Sequence, residues 1–351
     1  MRFLLFIVIS IAVTFGCGES KKIMTRGRVV ETKKIQLEKP AMISSFTEGD
    51  GYFVFVDRKT SEVCALDGEG KIFWTYKKEG KGPGEFSQSV QIAGINNNTL
   101  YVYDGMLKKI MSFAFDDRKK AFTFVDEVIL DNGNINTVYM LKDGTMCVSL
   151  MMAKSELIHV NADGSFIQEI IPGKQIDMTK MSGEEIREYF SNLSFVRYFD
   201  GEKVILAKFM TGNVVFGTFK NNTYTISATV VPKFALKEEK ADIKTSSTND
   251  SRSISVKGKG FLISQVHNGE MYLMAPEQEG EEKKMMECYD LNGVLKGVYV
   301  FPHKKNELPM NIYIASNGKV WFQKNIFKDD GTEELDMTSI YQADFKEYNE
   351  K

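Results

Sequence analysis

Residues 80–86 read Gly80-Lys81-Gly82-Pro83-Gly84-Glu85-Phe86, and segments rich in aromatic and β-branched residues lie on both sides of them. The three glycines permit backbone conformations that other residues rarely adopt, and Pro83 stiffens the turn. Phe86 supplies an apolar side chain that can anchor the loop between two packed units. We interpret this stretch as a joint between repeated β units.

A phosphate-binding loop is the alternative interpretation of a glycine-rich stretch. Such a loop needs a following helix whose N-terminus meets the anion. The residues that follow here, Ser87-Gln88-Ser89-Val90-Gln91-Ile92, have the pattern of a strand. Nucleotide binding is therefore not expected at this loop.

Outward from the loop, the chain repeats one unit of short strands joined by Asp-Gly and Asn-Gly turns, which is typical of antiparallel hairpins. Six units fit between residues 27 and 345, at about 53 residues each. That length suits a four-stranded blade, and a ring of blades replaces one oversized core with several small ones. We predict an all-β protein, a six-bladed β-propeller of four-stranded antiparallel blades over residues 27–351.

The boundaries of the units follow from the turns. The six units are expected around Tyr52–Trp74, Leu100–Phe113, Thr137–Ile171, Phe195–Val231, Ser253–Phe301 and Asn311–Phe345. A strand-like stretch, Arg28–Leu37, precedes the first unit, and we predict that it joins the sixth blade, because an unclosed ring would leave a frayed edge. Ser182-Gly183-Glu184-Glu185 resembles a capping box and predicts a short helical insertion near 182–192.

The first sixteen residues have the pattern of an export signal. Arg2 is followed by the apolar run Phe3–Val13, which is too short to span a bilayer comfortably. Gly16 before Cys17 fits a lipobox, although Thr14 stands where an aliphatic residue is usual. We predict a lipoprotein signal peptide over 1–16, lipidation of Cys17 and a tether over 17–26; the alternative is an ordinary cleaved signal with Cys17 merely nearby.

The loop and the strands after it resemble the NHL-type propeller repeat, in which a G-x-G-P-G-x-F loop leads into the inner strand of the next blade. The matching strands are Ile92-Ala93-Gly94-Ile95, Leu100–Asp104 and Lys109–Phe113, and one clear copy of the loop occurs. With its N-terminus and six units, the whole chain resembles the six-bladed propeller lipoproteins of Bacteroidetes, in the NHL/TolB-like superfamily. This resemblance implies a protein of the cell envelope, lipid-anchored to a bacterial membrane, most often the outer membrane.

Composition limits the partners and cofactors that we expect. The chain has 45 Lys and Arg against 47 Asp and Glu, a net charge of -2, so it has no basic field for nucleic acid. Cys64, Cys147 and Cys288 lie in apolar alternating stretches without C-x-x-C spacing. We expect three buried thiols rather than a metal cage, although one disulfide among them is an alternative.

No motif in the sequence supports a catalytic residue, a metal site or a cofactor site. The three histidines, His159, His267 and His303, are isolated, and no G-x-S-x-G nucleophile elbow occurs. The acidic stretch Asp329–Glu334 lacks the alternating spacing of a calcium loop. Carboxylate pairs cannot be sought by spacing, because in a propeller they come from different blades.

Propeller geometry places a binding site on one face of the ring, around the channel, where inner strands begin. Six residues near those predicted positions are candidates for ligand binding: Asn134, Asn136, Arg197, Tyr198, His267 and Asn311. Arg197 is a cation in the apolar strand start Phe195–Phe199, so it needs an anionic or carbonyl partner. A salt bridge between blades is the alternative role for this arginine.

Three functions remain open, because a propeller fold does not determine function. The favoured one is a non-enzymatic binding or scaffold module for a peptide, a glycan or an envelope protein, attached to the membrane through the lipid on Cys17. The alternative is a propeller enzyme, such as a lactonase-like hydrolase or a polysaccharide lyase, with carboxylates or calcium in the channel. A structural assembly subunit, the third hypothesis, would carry a large apolar patch on its outer ring.

Overall fold

The computed structural model describes residues 24–177, 180–208, 212–234, 243–248, 251–256, 263–275, 284–301, 306–328 and 332–348. The export signal over 1–16, the lipidation candidate Cys17, His303 and residues 329–331 of the acidic stretch lie outside these residues.

The described chain forms six four-stranded blades, one further hairpin and one helix. The first strand is β1 (Thr25–Gln36). Blade 1 consists of β2 (Ile43–Gly49), β3 (Tyr52–Asp57), β4 (Glu62–Asp67) and β5 (Ile72–Tyr76). Blade 2 consists of β6 (Val90–Asn96), β7 (Thr99–Asp104), β8 (Lys109–Asp116) and β9 (Ala121–Ile129). Blade 3 consists of β10 (Ile135–Met140), β11 (Met146–Leu150), β12 (Ser155–Val160) and β13 (Phe166–Pro172).

The helix α1 (Gly183–Asn192) precedes the second half of the ring. Blade 4 consists of β14 (Ser194–Phe199), β15 (Lys203–Lys208), β16 (Val214–Lys220) and β17 (Thr223–Val230). The separate hairpin consists of β18 (Ile243–Thr248) and β19 (Ser251–Val256). Blade 5 consists of β20 (Ile263–His267), β21 (Glu270–Met274), β22 (Lys284–Asp290) and β23 (Leu295–Phe301). Blade 6 contains β24 (Glu307–Ile314), β25 (Val320–Phe327), the short β26 (Glu333–Leu335) beside β25, and β27 (Ser339–Glu347).

The six first strands of the blades surround the centre of the ring. β2 contacts both β6 and β24, while β20 contacts both β14 and β24. Four antiparallel strands bring the chain back to the end of the ring from which the blade started, so all first strands run in the same direction. We call the end where they begin the upper face, and the end where they turn into the second strands the lower face. The predicted four-stranded antiparallel blades are confirmed.

The N-terminal strand closes the ring, as the sequence predicts. β1 pairs antiparallel with β27, from Gly27 opposite Glu347 to Gln36 opposite Ser339, and so becomes the fourth strand of blade 6. It begins at Thr25, slightly before the expected start of the propeller at residue 27. Its first residues also pair in parallel with β23 of blade 5. The N-terminal strand therefore joins the fifth and sixth blades.

The glycine-rich loop is held in place by a buried ion pair, which we call the blade 2 latch. The Lys109 ammonium, whose side chain is 4% exposed, donates to Glu127 Oε2 at 2.8 Å and to the carbonyl of Gly82 at 2.9 Å. The same carboxylate oxygen accepts the N–H of Gly84 at 3.0 Å. Phe86 is fully buried. The interpretation of this loop as a joint is confirmed.

Two other local predictions are confirmed. Ser182 accepts a hydrogen bond from the N–H of Glu185, while the Glu185 carboxylate accepts the N–H of Ser182, which completes the capping box of α1. All three cysteines within the described ranges are buried and free: Cys64, Cys147 and Cys288. Within these ranges no helix combines the length and apolar character that crossing a bilayer requires.

The predicted start of blade 5 at Ser253 is wrong. Residues 251–256 pair with residues 243–248 in a separate hairpin, and blade 5 begins with β20 at Ile263. Only Asn249 and Asp250 separate the two hairpin strands in sequence, a spacing that favours local pairing over joining a distant sheet.

Candidate functional site

The first strands are bulged, and the bulges carry several polar candidates. In five of the six blades, at least one residue of the first strand has no partner in the described pairing with the second strand. Blade 5 is the exception. The skipped residues are Ser44, Ala93, Asn136, Arg197 and the pair Asn311–Ile312. A β-bulge redirects a side chain and is common beside binding sites. Three of the six sequence candidates therefore occupy positions at which the first strand departs from regular pairing.

Arg197 sits half-buried on the bulge of β14. Its Nε atom is buried and has no hydrogen-bond partner. The guanidinium lies beside the hydroxyl of Tyr139 on the neighbouring blade and 5.8 Å from the centre of the Phe195 ring. Among the residues that the structure describes, no carboxylate forms an ion pair with it. The inter-blade salt bridge considered for this arginine is thus not formed with any described residue.

The neighbour of Arg197 does not neutralise its charge. Burial raises the pKa of the Tyr139 hydroxyl, and the positive charge of Arg197 only partly opposes this increase. The phenol therefore stays protonated near neutral pH, and it donates to the carbonyl of Val196 at 2.7 Å. Tyr139 therefore contributes no negative charge beside Arg197.

Three candidates lie near the upper face, and one of them has a structural partner. Asn134 is exposed directly before β10, and Asn136 is half-buried within it. The Asn311 amide donates to Gln323 Oε1 at 3.1 Å, and that oxygen also accepts the N–H of Ile43 in blade 1. Asn311 therefore supports the junction between blades 6 and 1.

The remaining two candidates lie toward the lower face. Tyr198 donates its hydroxyl hydrogen to Asp200 Oδ2 at 2.9 Å. His267 ends β20 and lines a cleft between blades 5 and 6. Burial lowers the pKa of His267, although the carboxylates of Glu48 and Glu270 act in the opposite direction. The fold thus divides five of the candidates between two faces, leaves Arg197 on the bulge of β14, and does not bring the six into one site.

The upper face carries a polar pocket between blades 1 and 2, with a volume of about 480 Å³. Its lining consists of Ser44, Ser45, Val56, Arg58, Ser61, Gln88, Ser89, Val90 and Gln91. Arg58 is exposed and is the charged member of this lining. The sequence analysis did not predict this pocket, because its residues come from two blades. The adjacent Ser44 and Ser45 at a strand start were the one sequence feature that could have indicated it.

The lower face carries a larger cavity of about 660 Å³ between blades 1 and 6, which we call the lower cleft. Its lining consists of Glu48, Gly49, Asp50, Gly51, Tyr52, Phe53, Gly68, Tyr313, Ser316, Asn317, Trp321 and Gln342. Tyr52 and Trp321 are 3% and 2% exposed, and neither the Tyr52 hydroxyl nor the Trp321 Nε1 has a hydrogen-bond partner. The cleft containing His267, about 560 Å³ in volume, shares Asn317 with the lower cleft.

No metal-ligand cluster occurs in the portion of the chain given above: no three His, Cys, Asp or Glu side chains come together there. The described surface offers hydrogen-bonding groups, charged side chains and aromatic rings.

The ring of six four-stranded blades, closed by its N-terminal strand, defines a six-bladed β-propeller. Residues 32–345 match the 6-bladed beta-propeller family DUF5128, and the chain belongs to this family.

Many solved structures share the fold, including two from Bacteroides species. A member of the DUF4221 family from Bacteroides vulgatus has a TM-score of 0.57 and 11% identity, with 93% of this chain and 99% of that chain covered. A protein of Bacteroides fragilis that is named as an exported protein has a TM-score of 0.53 and 11% identity, with 90% and 95% covered. At this identity the likeness concerns the fold alone. A search of curated proteins found no match.

Proposed function

We propose that the protein is a non-enzymatic binding propeller of the bacterial cell envelope, which recognises a carboxylate of its ligand through Arg197. The observation that carries this proposal is the half-buried Arg197 on a first-strand bulge, with a buried Nε that lacks a partner and no described carboxylate beside it.

A bound carboxylate would complete the hydrogen bonding of this arginine. The guanidinium is a rigid fork that offers two parallel N–H donors to the two oxygens of a carboxylate. A hydrogen-bond donor that is shielded from water and unpaired raises the free energy of the protein. A ligand atom that accepts a hydrogen bond from this donor would therefore bind favourably. The Phe195 ring and the neutral Tyr139 beside the guanidinium limit its movement and add no competing charge.

The location at the envelope rests on two supports. The N-terminal pattern that ends at Gly16-Cys17 favours export and lipidation. The Bacteroides fragilis protein with the same fold is named as exported. A peptide, a glycan or a partner protein at the envelope could present the carboxylate.

Calorimetry on the full chain in detergent tests the proposal. The probes are D-glucuronate and the dipeptide acetyl-Ala-Ala with a free C-terminus, each compared with its uncharged counterpart, D-glucose and the dipeptide amide. We expect at least one carboxylate probe to bind and its uncharged counterpart to bind more weakly. Loss of a charge-assisted pair, about 1.5–3 kcal/mol, predicts roughly 10- to 100-fold weaker binding in Arg197→Gln.

Arg118→Gln is the matched control, because Arg118 is exposed in a turn of blade 2 and its side chain forms no ion pair with a described residue. Thermal unfolding of both variants checks that the ring is intact. Equal affinity of Arg197→Gln and the unsubstituted protein, or no binding of either carboxylate, would refute the proposal.

A further inference from the structure

We infer that the lower cleft is a binding site for a neutral sugar ring. The site is separate from Arg197 and does not depend on the function proposed above. It lies on the lower face, where the first hairpin of blade 1 meets the first hairpin of blade 6. Its volume of about 660 Å³ falls within the range that is usual for small-molecule sites, about 300–1,000 Å³.

Aromatic side chains form the apolar part of the cleft. The rings of Phe53 and Trp321 pack with their centres 4.3 Å apart and are almost fully buried. Tyr313 is half-buried and lines the cleft, with its ring centre 5.0 Å from that of Phe46. Aromatic surface with a polar tip suits ligands that have an apolar face and polar edges, which describes a sugar ring.

One buried donor of the cleft lacks an acceptor. The Trp321 Nε1 is shielded from solvent and makes no hydrogen bond. The indole N–H can only donate, so only an acceptor atom can satisfy it. Unpaired buried polar groups are rare in native proteins, and each calls for a partner such as water or a ligand.

Two carboxylates of the cleft form no ion pair with a described residue. Glu48 is half-buried and accepts the N–H of Ser316, and Asp50 is exposed at the hairpin tip. No lysine or arginine occurs among the described residues that line the cleft. The cleft therefore presents acceptors, from Glu48 and Asp50, and an unpaired donor, from Trp321.

This combination selects the ligand. A lysine or arginine side chain carries donors only, so it would suit the carboxylates and leave the indole N–H unpaired. An anion would accept from the indole but would be repelled by Glu48 and Asp50. A sugar hydroxyl both donates and accepts. Since the cleft shares Asn317 with the neighbouring cleft of blade 5, an oligosaccharide could extend along the lower face.

The two tryptophans of the chain make a direct experiment possible. Trp74 and Trp321 are the only ones, so Trp74→Phe leaves Trp321 as the sole indole and its fluorescence reports on the lower cleft. This variant is titrated with maltohexaose, cellohexaose, xylohexaose and mannohexaose, and with hexalysine and a galacturonate hexamer as cationic and anionic alternatives. We expect a saturable change of fluorescence with at least one neutral hexaose.

Two further variants connect binding to the cleft. Trp321→Phe keeps an aromatic ring but removes the N–H, and Glu48→Gln removes the charge; each should weaken the binding of that hexaose about fivefold or more in calorimetry. Glu69→Gln is the control, because Glu69 is exposed on the same face outside the cleft. Arg197→Gln should bind the sugar unchanged, which separates this site from the proposed function.

Several results would overturn the inference: no neutral hexaose binds, only hexalysine or the galacturonate hexamer binds, or Trp321→Phe and Glu48→Gln both bind the sugar as tightly as the Glu69→Gln control. Thermal unfolding of every variant guards against a loss of binding through misfolding.

Discussion

Replacing Glu127 with alanine should destabilise the propeller more than replacing its partner Lys109 with methionine. The two residues form the blade 2 latch, in which one carboxylate oxygen accepts from the Lys109 ammonium at 2.8 Å and from the N–H of Gly84 at 3.0 Å. The expected asymmetry follows from burial. The Lys109 side chain is 4% exposed, whereas the Glu127 side chain is 22% exposed.

The magnitudes follow from what each substitution leaves behind. Without Glu127, the buried ammonium keeps only the Gly82 carbonyl at 2.9 Å as an acceptor, and an uncompensated buried charge costs about 3–5 kcal/mol. Without Lys109, the Glu127 carboxylate can still be hydrated and still accepts from Gly84, so the loss should be about 1–3 kcal/mol. The double substitution removes both charges and should cost less than the sum of the single ones.

Urea unfolding followed by far-ultraviolet circular dichroism measures these free energies. Lys120→Met is the control, because Lys120 pairs with Asp117 at 2.6 Å, a shorter distance than in the latch, but the two side chains are 63% and 79% exposed. An exposed pair contributes below about 1 kcal/mol. If Glu127→Ala costs no more than Lys120→Met, or less than Lys109→Met, the reasoning from burial is wrong.

Three further expectations follow from the structure. Arg26→Met, which removes the bonds to Glu270 and Glu347 across the ring closure, should lower stability by about 1–3 kcal/mol in urea unfolding, and an unchanged midpoint would contradict this role. Burial lowers the pKa of His159 and His267 below the ordinary 6.5, so the unfolded state binds more protons and stability should fall as the pH drops below about 6.5. Replacing both histidines with glutamine should flatten that slope, and an identical slope would count against it. None of the three buried thiols should react with a thiol reagent before unfolding, since burial raises the pKa of Cys64 and Cys288 to about 12; rapid labelling of the folded protein would contradict this.

The parts of the fold that sequence reasoning found are those encoded locally. The capping box of α1 needs only Ser182 and Glu185, and the glycine-rich loop carries its own backbone requirements. Ring closure by β1 was also predictable. The strand-like stretch before the first blade had no partner in the predicted repeat, and an open ring would have left an unpaired strand edge. The start of blade 5 was missed because residues 251–256 alternate like a first strand, while their pairing with residues 243–248 is a competing local choice.

The sites were predictable only in part. Arg197 stood out as a cation in an apolar strand start, and Asn136 was predicted from its place near the start of an inner strand. The structure places both at bulges, where the pairing with the second strand skips them. The lower cleft could not be found in this way. Its residues Glu48 and Trp321 come from opposite ends of the sequence and meet only because the ring closes.

That dependence on ring closure links the lower cleft to stability. Blade 1 and blade 6 each contribute one hairpin to the cleft, and β1 is the strand that holds blade 6 together at the ring closure. A sugar that bridges both hairpins would bind only the closed ring and would therefore stabilise it. At a ligand concentration 100 times the Kd, the gain should be about 2.7 kcal/mol. The neutral hexaose that quenches or enhances Trp321 fluorescence should thus raise the unfolding midpoint of the unsubstituted protein, and a fivefold loss of affinity in Trp321→Phe should reduce the gain by about 1 kcal/mol at the same concentration. A sugar that binds without any shift in the midpoint would mean that it binds open and closed rings alike, which the position of the cleft does not allow.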